Sequence, residues 1–557
     1  GHEFGIADAA RGGKAPAFDH EKMAKALGQA LDKTLDPRRL PVDQLIFTGS
    51  AAVPVVVAEG RNWTCDLGTL RCKGEARTDV PPGALLSPDG RSIVFVRDHN
   101  LWHMDVATGK ERALTTDGDA DRPYGVASES STSFVSEQRM GAPSQTQGLF
   151  SPDGRKFLTY RLDQSEVKPL HLLQHVPEDG SFRPKLFTYR YPFAGDREPT
   201  ATLLIFDLAT GKATPVDHPP VAAPYMGPVA LQRLHWAPGR GKAYFLRSGD
   251  SHRELSLVEI DGETGATRVL ISERSDIYFL PSNVLMDLPV PRLLSSGDFI
   301  WASERSGYYH LYLHDGRTGK LKNAITKGDW MVRELIRVDE AAGRLYFTAV
   351  GREKGMDPYF RVLYRVNLDG TGLTRLTPED ADHEIRPVLP PTIPTADGPD
   401  PAVRAQRAGF SPSGAHFVDS YSRPDQPTVH VVRDADGKLV MELERASLAK
   451  EIAGSYIPPE PFRALAADGK TEIHGLIYKP ANFDPARRYP VVDSIYPGPQ
   501  ILRVPKRFMD DMFGAQALAE LGFIVVTVDG RGTPLRSRDF RAVSYRNMGA
   551  AGNLEDH

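Results

Sequence analysis

Along most of the chain, apolar and polar residues alternate in short runs that end in an Asp/Gly turn. Leu101-Trp102-His103-Met104-Asp105 runs into Val106-Ala107-Thr108-Gly109-Lys110, and Leu204-Ile205-Phe206-Asp207 runs into Leu208-Ala209-Thr210-Gly211-Lys212. Variants stand at Asn62–Gly68, Val258–Asp261, Leu313–Lys320, Val366–Gly370 and Val432–Lys438. Alternation that breaks at Asp and Gly predicts a strand entering a hairpin. A second quartet, Ser87-Pro88-Asp89-Gly90, recurs as Ser151-Pro152-Asp153-Gly154 and Ser411-Pro412-Ser413-Gly414, each ahead of an alternating strand. Proline fixes φ there and glycine accepts positive φ, so the quartet launches a strand. Recurrence at roughly 40–60 residues predicts the blades of a β-propeller, seven or eight of them. The interval between Asp105 and Asp207 is about twice the usual spacing. It predicts an additional blade and an insertion within residues 120–150 and 165–200.

The two ends read differently. Residues 18–35 have helical spacing, with Met23, Leu27 and Leu31 on one side, and Pro37 and Pro41 are expected to end that helix. After about residue 465 the blade pattern stops. Thr471–Tyr478 and Tyr489–Tyr496 predict strands, Asp510–Leu521 a helix, and Phe523–Val528 a fully apolar strand of the buried parallel kind. Strand, helix and apolar strand in that order predict a βαβ unit of a doubly wound sheet. Asp529-Gly530-Arg531-Gly532 falls at the carboxyl end of the last strand, where such sheets place ligands. The expected organisation is a helical segment over 1–42, a propeller over 43–455 and the front of an α/β-hydrolase domain over 456–557. The fold class is therefore mainly β.

Composition adds exclusions. With 40% apolar and 25% charged residues the chain is of ordinary globular type, and a net charge of −4 spread over both signs gives no footprint for nucleic acid. No apolar run approaches the ~18 residues of a membrane span. No signal peptide is visible, and Gly1-His2-Glu3-Phe4 has the look of a processed or engineered start. Cys65 and Cys72 flank a predicted hairpin turn, where facing positions meet disulfide distances. We expect a disulfide, with two reduced core cysteines as the alternative, and two cysteines are too few for a structural zinc site. His20-Glu21 opens like a zinc-protease motif but Ala24 stands where the second His belongs, and Asp117-Gly118-Asp119-Ala120-Asp121 lacks the Gly and Glu of a calcium loop. No metal or cofactor is expected.

Blades opened by Ser-Pro-Asp-Gly and followed by an α/β segment resemble the dipeptidyl-peptidase IV branch of the prolyl oligopeptidase family, in its bacterial form. The stretches that carry the likeness are Tyr160–Val167, Tyr191-Pro192-Phe193-Ala194-Gly195, Ile325–Trp330, Ile495-Tyr496-Pro497-Gly498-Pro499 and Val528–Gly532. The resemblance implies a serine peptidase that removes N-terminal dipeptides, preferentially after Pro or Ala, from short peptides admitted by the propeller. It implies a Ser-Asp-His triad on the hydrolase domain, and a homodimer formed through that domain is expected. The nucleophile elbow G-x-S-x-G occurs nowhere in this sequence. Residues 549–556 resemble the approach to it, so the chain is expected to stop upstream of the triad, as a truncated form without activity of its own. A disulfide favours a periplasmic or secreted protein, with a cytoplasmic one as the alternative.

In the resembled family a tyrosine in the Tyr496 motif donates to the oxyanion, and Tyr496 is assigned that role here. Two adjacent glutamates on a propeller insertion grip the substrate's α-ammonium in that family. The matching stretch is Ser133–Met140, where Glu137 is acidic but its neighbour is Gln138, and Glu129 is the candidate for the missing partner. Arg161, Asp163 and Glu166 are expected to form structural ion pairs. The competing readings are a non-catalytic propeller that binds peptides or proteins, and an oligopeptidase or acylaminoacyl-peptidase.

Overall fold

The computed structural model describes residues 4–46, 55–76, 80–130, 141–223, 234–237, 241–248, 253–279, 291–385, 409–448, 456–496, 501–509, 514–547 and 554–557, with a few single positions between them. Among these residues, seven antiparallel sheets follow one another along the chain, over 44–76, 85–113, 149–222, 234–274, 292–324, 331–375 and 382–445. Each has four strands in sequence order, except that the third gains a fifth short strand. They are the blades of a β-propeller.

The recurring turns explain themselves chemically. Asp105 accepts from the amide and hydroxyl of Thr108 at 2.8 and 2.7 Å, and Asp207 with Thr210, Asp261 with Thr264 and Asp315 with Thr318 repeat the pattern. Those bonds hold all four carboxyls below the ordinary range. In the other quartet Ser87 donates to Asp89 at 2.6 Å and accepts from the amide of Ser92 at 2.9 Å, which starts the next strand; Ser151, Asp153 and Lys156 do the same.

The same turns lock neighbouring blades together. Arg112 of the second sheet donates to the carbonyls of Leu208 and Ala209 in the third sheet's turn. Lys156 reaches Gly262 of the fourth, Arg268 the carbonyl of Arg317 in the fifth, Asn323 that of Leu368 in the sixth, and Arg365 that of Ala435 in the seventh. At Gly265, Gly319, Gly370 and Gly437 the turn meets the previous blade's backbone so closely that a side chain has no room. A Cβ on Gly370 would stand 2.7 Å from the carbonyl oxygen of Ala324, and one on Gly319 would overlap that of Leu270. Burial between blades completes the core, as with Trp236, Phe245 and Val258 of the fourth sheet against Tyr160 and Leu203 of the third.

Several expectations are corrected. No additional four-stranded sheet occupies the long interval among the described residues. Instead Lys156–Asp163 pairs directly with Thr200–Asp207, and the chain between them forms a separate two-stranded hairpin, Pro169–Gln174 with Lys185–Arg190. The doubled spacing signals an inserted arm. The N-terminal helix spans His20–Leu31, capped by Asp19 onto the Lys22 amide, and it stops six residues before Pro37. Asp32 takes a left-handed conformation there (φ 54°), and the Lys33 amide closes on Gly28.

That helix packs Met23 and Leu27 against Val56, Trp63 and Cys65 of the first sheet. The preceding hairpin, Gly5–Asp8 with Gly13–Pro16, sends Lys14 to Leu443 and Glu444 of the seventh. The N-terminal segment thus touches both ends of the blade series. Cys65 and Cys72 face each other across the first sheet's hairpin and are bonded, with Cα atoms 4.0 Å apart.

Beyond the seventh sheet lies a four-stranded sheet in the order Glu460–Leu465, Glu472–Tyr478, Ile524–Asp529, Val491–Asp493. Only the last two strands are parallel; the helix Ala515–Glu520 lies between them in sequence. The described part is a mixed sheet rather than a doubly wound one. The strand expected over 489–496 is shorter because the ladder with Ile524–Asp529 ends at Asp493, and residues 510–513 of the expected helix lie outside the described residues.

Candidate active site

Tyr496 follows the carboxyl end of Val491–Asp493 and is 48% exposed. Just past the end of the ladder, the Ser494 amide donates to the Val526 carbonyl at 2.8 Å. Seven residues after Tyr496, the Arg503 guanidinium bonds the Ser494 hydroxyl and the Arg503 amide donates to Asp529 Oδ1 at 2.7 Å. Asp529 ends the apolar strand and is fully buried. Burial pushes its carboxyl up to about 6, although Lys506 and the amides of Arg503 and Val504 pull the other way.

Lys506 joins this sheet to the propeller. Its ammonium lies 3.1 Å from Asp357 in the sixth blade and 3.9 Å from Asp529. Burial would raise Asp357, but Lys506 and the Tyr359 amide outweigh it and hold that carboxyl low. Arg541 makes a second buried link, pairing with Glu304 and lying 4.5 Å over the Tyr278 ring. Burial raises the Glu304 carboxyl against the pull of Arg541. Arg507 pairs with Glu384, and Arg538 with Asp276. Between the two parts a cleft of about 440 Å³ is lined by Tyr308 and Trp330 from the propeller and by Arg531, Arg536 and Phe540 opposite.

Glu137 lies outside the described residues. Glu129 lies inside them and is already engaged. Its carboxylate accepts from the Arg190 amide at 2.8 Å and from Gln164 at 3.2 Å, and it pairs with the Arg190 guanidinium, which also takes Asp121. Arg190 ends the inserted hairpin, so this pair pins the arm to the segment that runs toward Glu137. Phe134 packs on Tyr189 with ring centres 6.2 Å apart, bringing the same segment onto the arm. The structure therefore gathers Glu129 with Arg190, Asp121 and Gln164, while Tyr496 stands on the C-terminal sheet. Arg161 pairs with Asp117, Asp163 with Arg122 and Glu166 with Arg197.

Ligand-type atoms of Glu379, His383 and Asp419 lie within 4.8 Å of one another. The buried Arg433 guanidinium spans Asp419 at 2.9 Å and Glu379 at 2.6 Å, and His383 Nδ1 lies 3.0 Å from Asp419. With a fixed cation between the two carboxylates, this is an ion network inside the seventh blade and a poor host for a metal.

Residues 59–428 match the family model described as the dipeptidyl peptidase IV (DPP IV) N-terminal region. The chain belongs to that family. Its relatives include a probable dipeptidyl-aminopeptidase B of Aspergillus oryzae, 26% identical over an alignment of 512 residues that covers 88% of this chain and 53% of that protein. A probable dipeptidyl-aminopeptidase B of Emericella nidulans is 27% identical over 84% of this chain and 49% of its own length. The chain thus spans about half the length of these relatives. Its fold is similar to a putative dipeptidyl aminopeptidase IV from Bacteroides ovatus, with a TM-score of 0.70 and 23% identity, covering 98% of this chain and 72% of that one. Porphyromonas gingivalis dipeptidyl peptidase 4 gives a TM-score of 0.68 at 22% identity, covering 99% and 74%.

The sequence reading noted Asp529 only as part of a ligand-placing turn, and did not single out Lys506, Arg503 or Arg190. For Asp529 the signal was present, since a carboxylate closes an otherwise apolar strand. The partners of Lys506 and Arg190 lie 149 and 61 residues away, and nothing local marks them.

Proposed function

We propose that this chain is the propeller-bearing part of a serine-type dipeptidyl aminopeptidase, cleaving N-terminal dipeptides with Pro or Ala at the second position. The observation that carries the reading is Tyr496 at the carboxyl end of a parallel strand, in a chain of the DPP IV family. In that chemistry a serine Oγ adds to the scissile carbonyl while its proton passes to a histidine, and negative charge gathers on the carbonyl oxygen. The Tyr496 phenol donates to that oxygen. Collapse expels the amine with the proton and leaves an ester, which water then cleaves. No G-x-S-x-G elbow for that serine occurs in this sequence.

Glu137 is the carboxylate assigned to the substrate's α-ammonium. A free amine in a partly dry cavity requires a fixed counter-charge, and this selects unblocked N-termini. Glu129, neutralised by Arg190, supports that segment. The disulfide favours an exported protein.

The test compares the 557-residue chain with the protein extended to the length of its relatives, using dipeptidyl chromogenic substrates. The longer protein should release the chromophore and lose this activity to a serine-directed reagent; the 557-residue chain should be inactive. Reagent-sensitive turnover by the short chain, or none by the long one, contradicts the proposal.

A further inference from the structure

Tyr496 stands two residues past one anchored foot of the chain and seven residues before another. The outgoing foot is Ser494, held on the sheet by its amide bond to Val526. The return foot is Arg503-Val504. Its amides face the Asp529 carboxylate, Arg503 at 2.7 Å and Val504 at 3.4 Å. The Arg503 side chain, itself buried, bonds back to the Ser494 hydroxyl and ties the feet together. A fully buried carboxylate that accepts from backbone amides fixes the backbone more firmly than a neutral acceptor does.

We infer that Asp529 is the positioning residue for Tyr496: by fixing the return foot, its carboxylate sets where the phenol stands. The inference rests on reading Tyr496 as the oxyanion donor. Asp529 touches no reacting atom and acts through Arg503 and its bond to Ser494.

The surroundings make this anchor responsive to charge. Lys506 faces Asp529 and shares itself with Asp357 of the sixth blade. His474 stands opposite Asp529 on the neighbouring strand, with Glu472 on its Nε2 at 3.0 Å. Tyr359 lies under the Lys506 ammonium and the Arg536 guanidinium, 4.4 and 5.7 Å from its ring centre. Burial drives the His474 imidazole down, against the pull of Asp357 and Glu472. The Asp529 carboxyl, raised to about 6 by burial, gains its proton in mildly acid solution. The charge-assisted bonds to the return foot then weaken. The propeller contributes through Asp357, which holds Lys506 in place.

Hydrogen exchange read by mass spectrometry on the 557-residue chain tests the anchor without any activity. At pH 7.5 the amides of Arg503 and Val504 should be protected, and Asp529→Ala should raise their exchange about tenfold or more. Asp529→Asn keeps an acceptor and should give a smaller rise, which guards against an alanine variant that fails to fold. The first blade should exchange as before; a rise there of the same size would mean general loosening and overturn the inference. Wild-type protection at these two amides, corrected for intrinsic rates, should fall between pH 7 and pH 5, and the Asn variant should show no such step. In the extended, active protein Asp529→Asn should lower kcat with KM within about twofold. Unchanged exchange at Arg503 and Val504 overturns the inference, as does an unchanged kcat in a protein whose Tyr496→Phe variant is impaired. If Tyr496→Phe itself has no effect, the oxyanion reading fails, and the exchange result alone decides whether Asp529 anchors Arg503 and Val504.

Discussion

Gly370 presses its turn onto Ala324 of the preceding blade: a Cβ on the glycine would stand 2.7 Å from the Ala324 carbonyl oxygen, and its φ is 86°. Backbone oxygen cannot swing aside as a side chain would. Gly370→Ala should therefore destabilise the chain by more than about 2 kcal/mol, combining left-handed strain with a lost blade contact. Gly343 supplies the control, since its φ is 62° but nothing lies within 4 Å of a Cβ there. Gly343→Ala should cost about 1 kcal/mol. Denaturant unfolding of both variants checks this, and equal losses would show that blade contact contributes nothing beyond the glycine conformation.

Glu129 and Arg190 should be coupled. Their side chains are 18% and 24% exposed and share one ion pair and one backbone bond. A double-mutant cycle with Glu129→Gln and Arg190→Met is expected to give about 1–3 kcal/mol of interaction. The single variants should also make residues 169–190 more open to limited proteolysis. Additive effects would mean that the pair is only a solvent-exposed contact.

Asp529 predicts a pH signature in stability. Its folded carboxyl is raised to about 6 from an ordinary value of 3.8. The protonated group is therefore favoured by folding, and the stability it contributes is fully present below about pH 4 and lost as pH rises through about 6. The difference corresponds to about 3 kcal/mol. Asp529→Asn removes the titration, so the stability of the variant relative to wild type should rise by about that amount between pH 4 and pH 7.5. A difference that stays flat with pH would show that Asp529 titrates normally. A carboxylate that destabilises the fold at neutral pH fits a residue retained for what it positions.

The propeller was legible because its signals are local. Asp105 with Thr108 and Ser87 with Asp89 make their bonds within a few residues, so composition and spacing reveal the turns. The insertion expected within 165–200 is the hairpin ending at Arg190, but the additional blade expected with it is absent among the described residues, since spacing reports chain length and not which strands pair. Tyr496 was legible through a motif that fixes its place at a strand end. Its support was not: Arg503 and Lys506 gain meaning only once Asp529, 26 residues from Arg503, and Asp357, 149 from Lys506, are brought beside them. Glu129 was singled out as an acidic residue, but the partner that binds it, Arg190, lies 61 residues on. Buried charge pairs of this kind arise from tertiary folding and leave no periodic trace.

The assignment of Tyr496 is the centre of the account, and one kinetic comparison addresses it directly. In the protein extended to the length of its relatives, Tyr496→Phe removes a single hydroxyl and leaves the ring in place. Because the oxyanion exists only near the transition state, kcat should fall by roughly 10²–10³ while KM stays within about twofold. A kcat within about twofold of wild type would show that the tyrosine only packs, and would contradict the assignment.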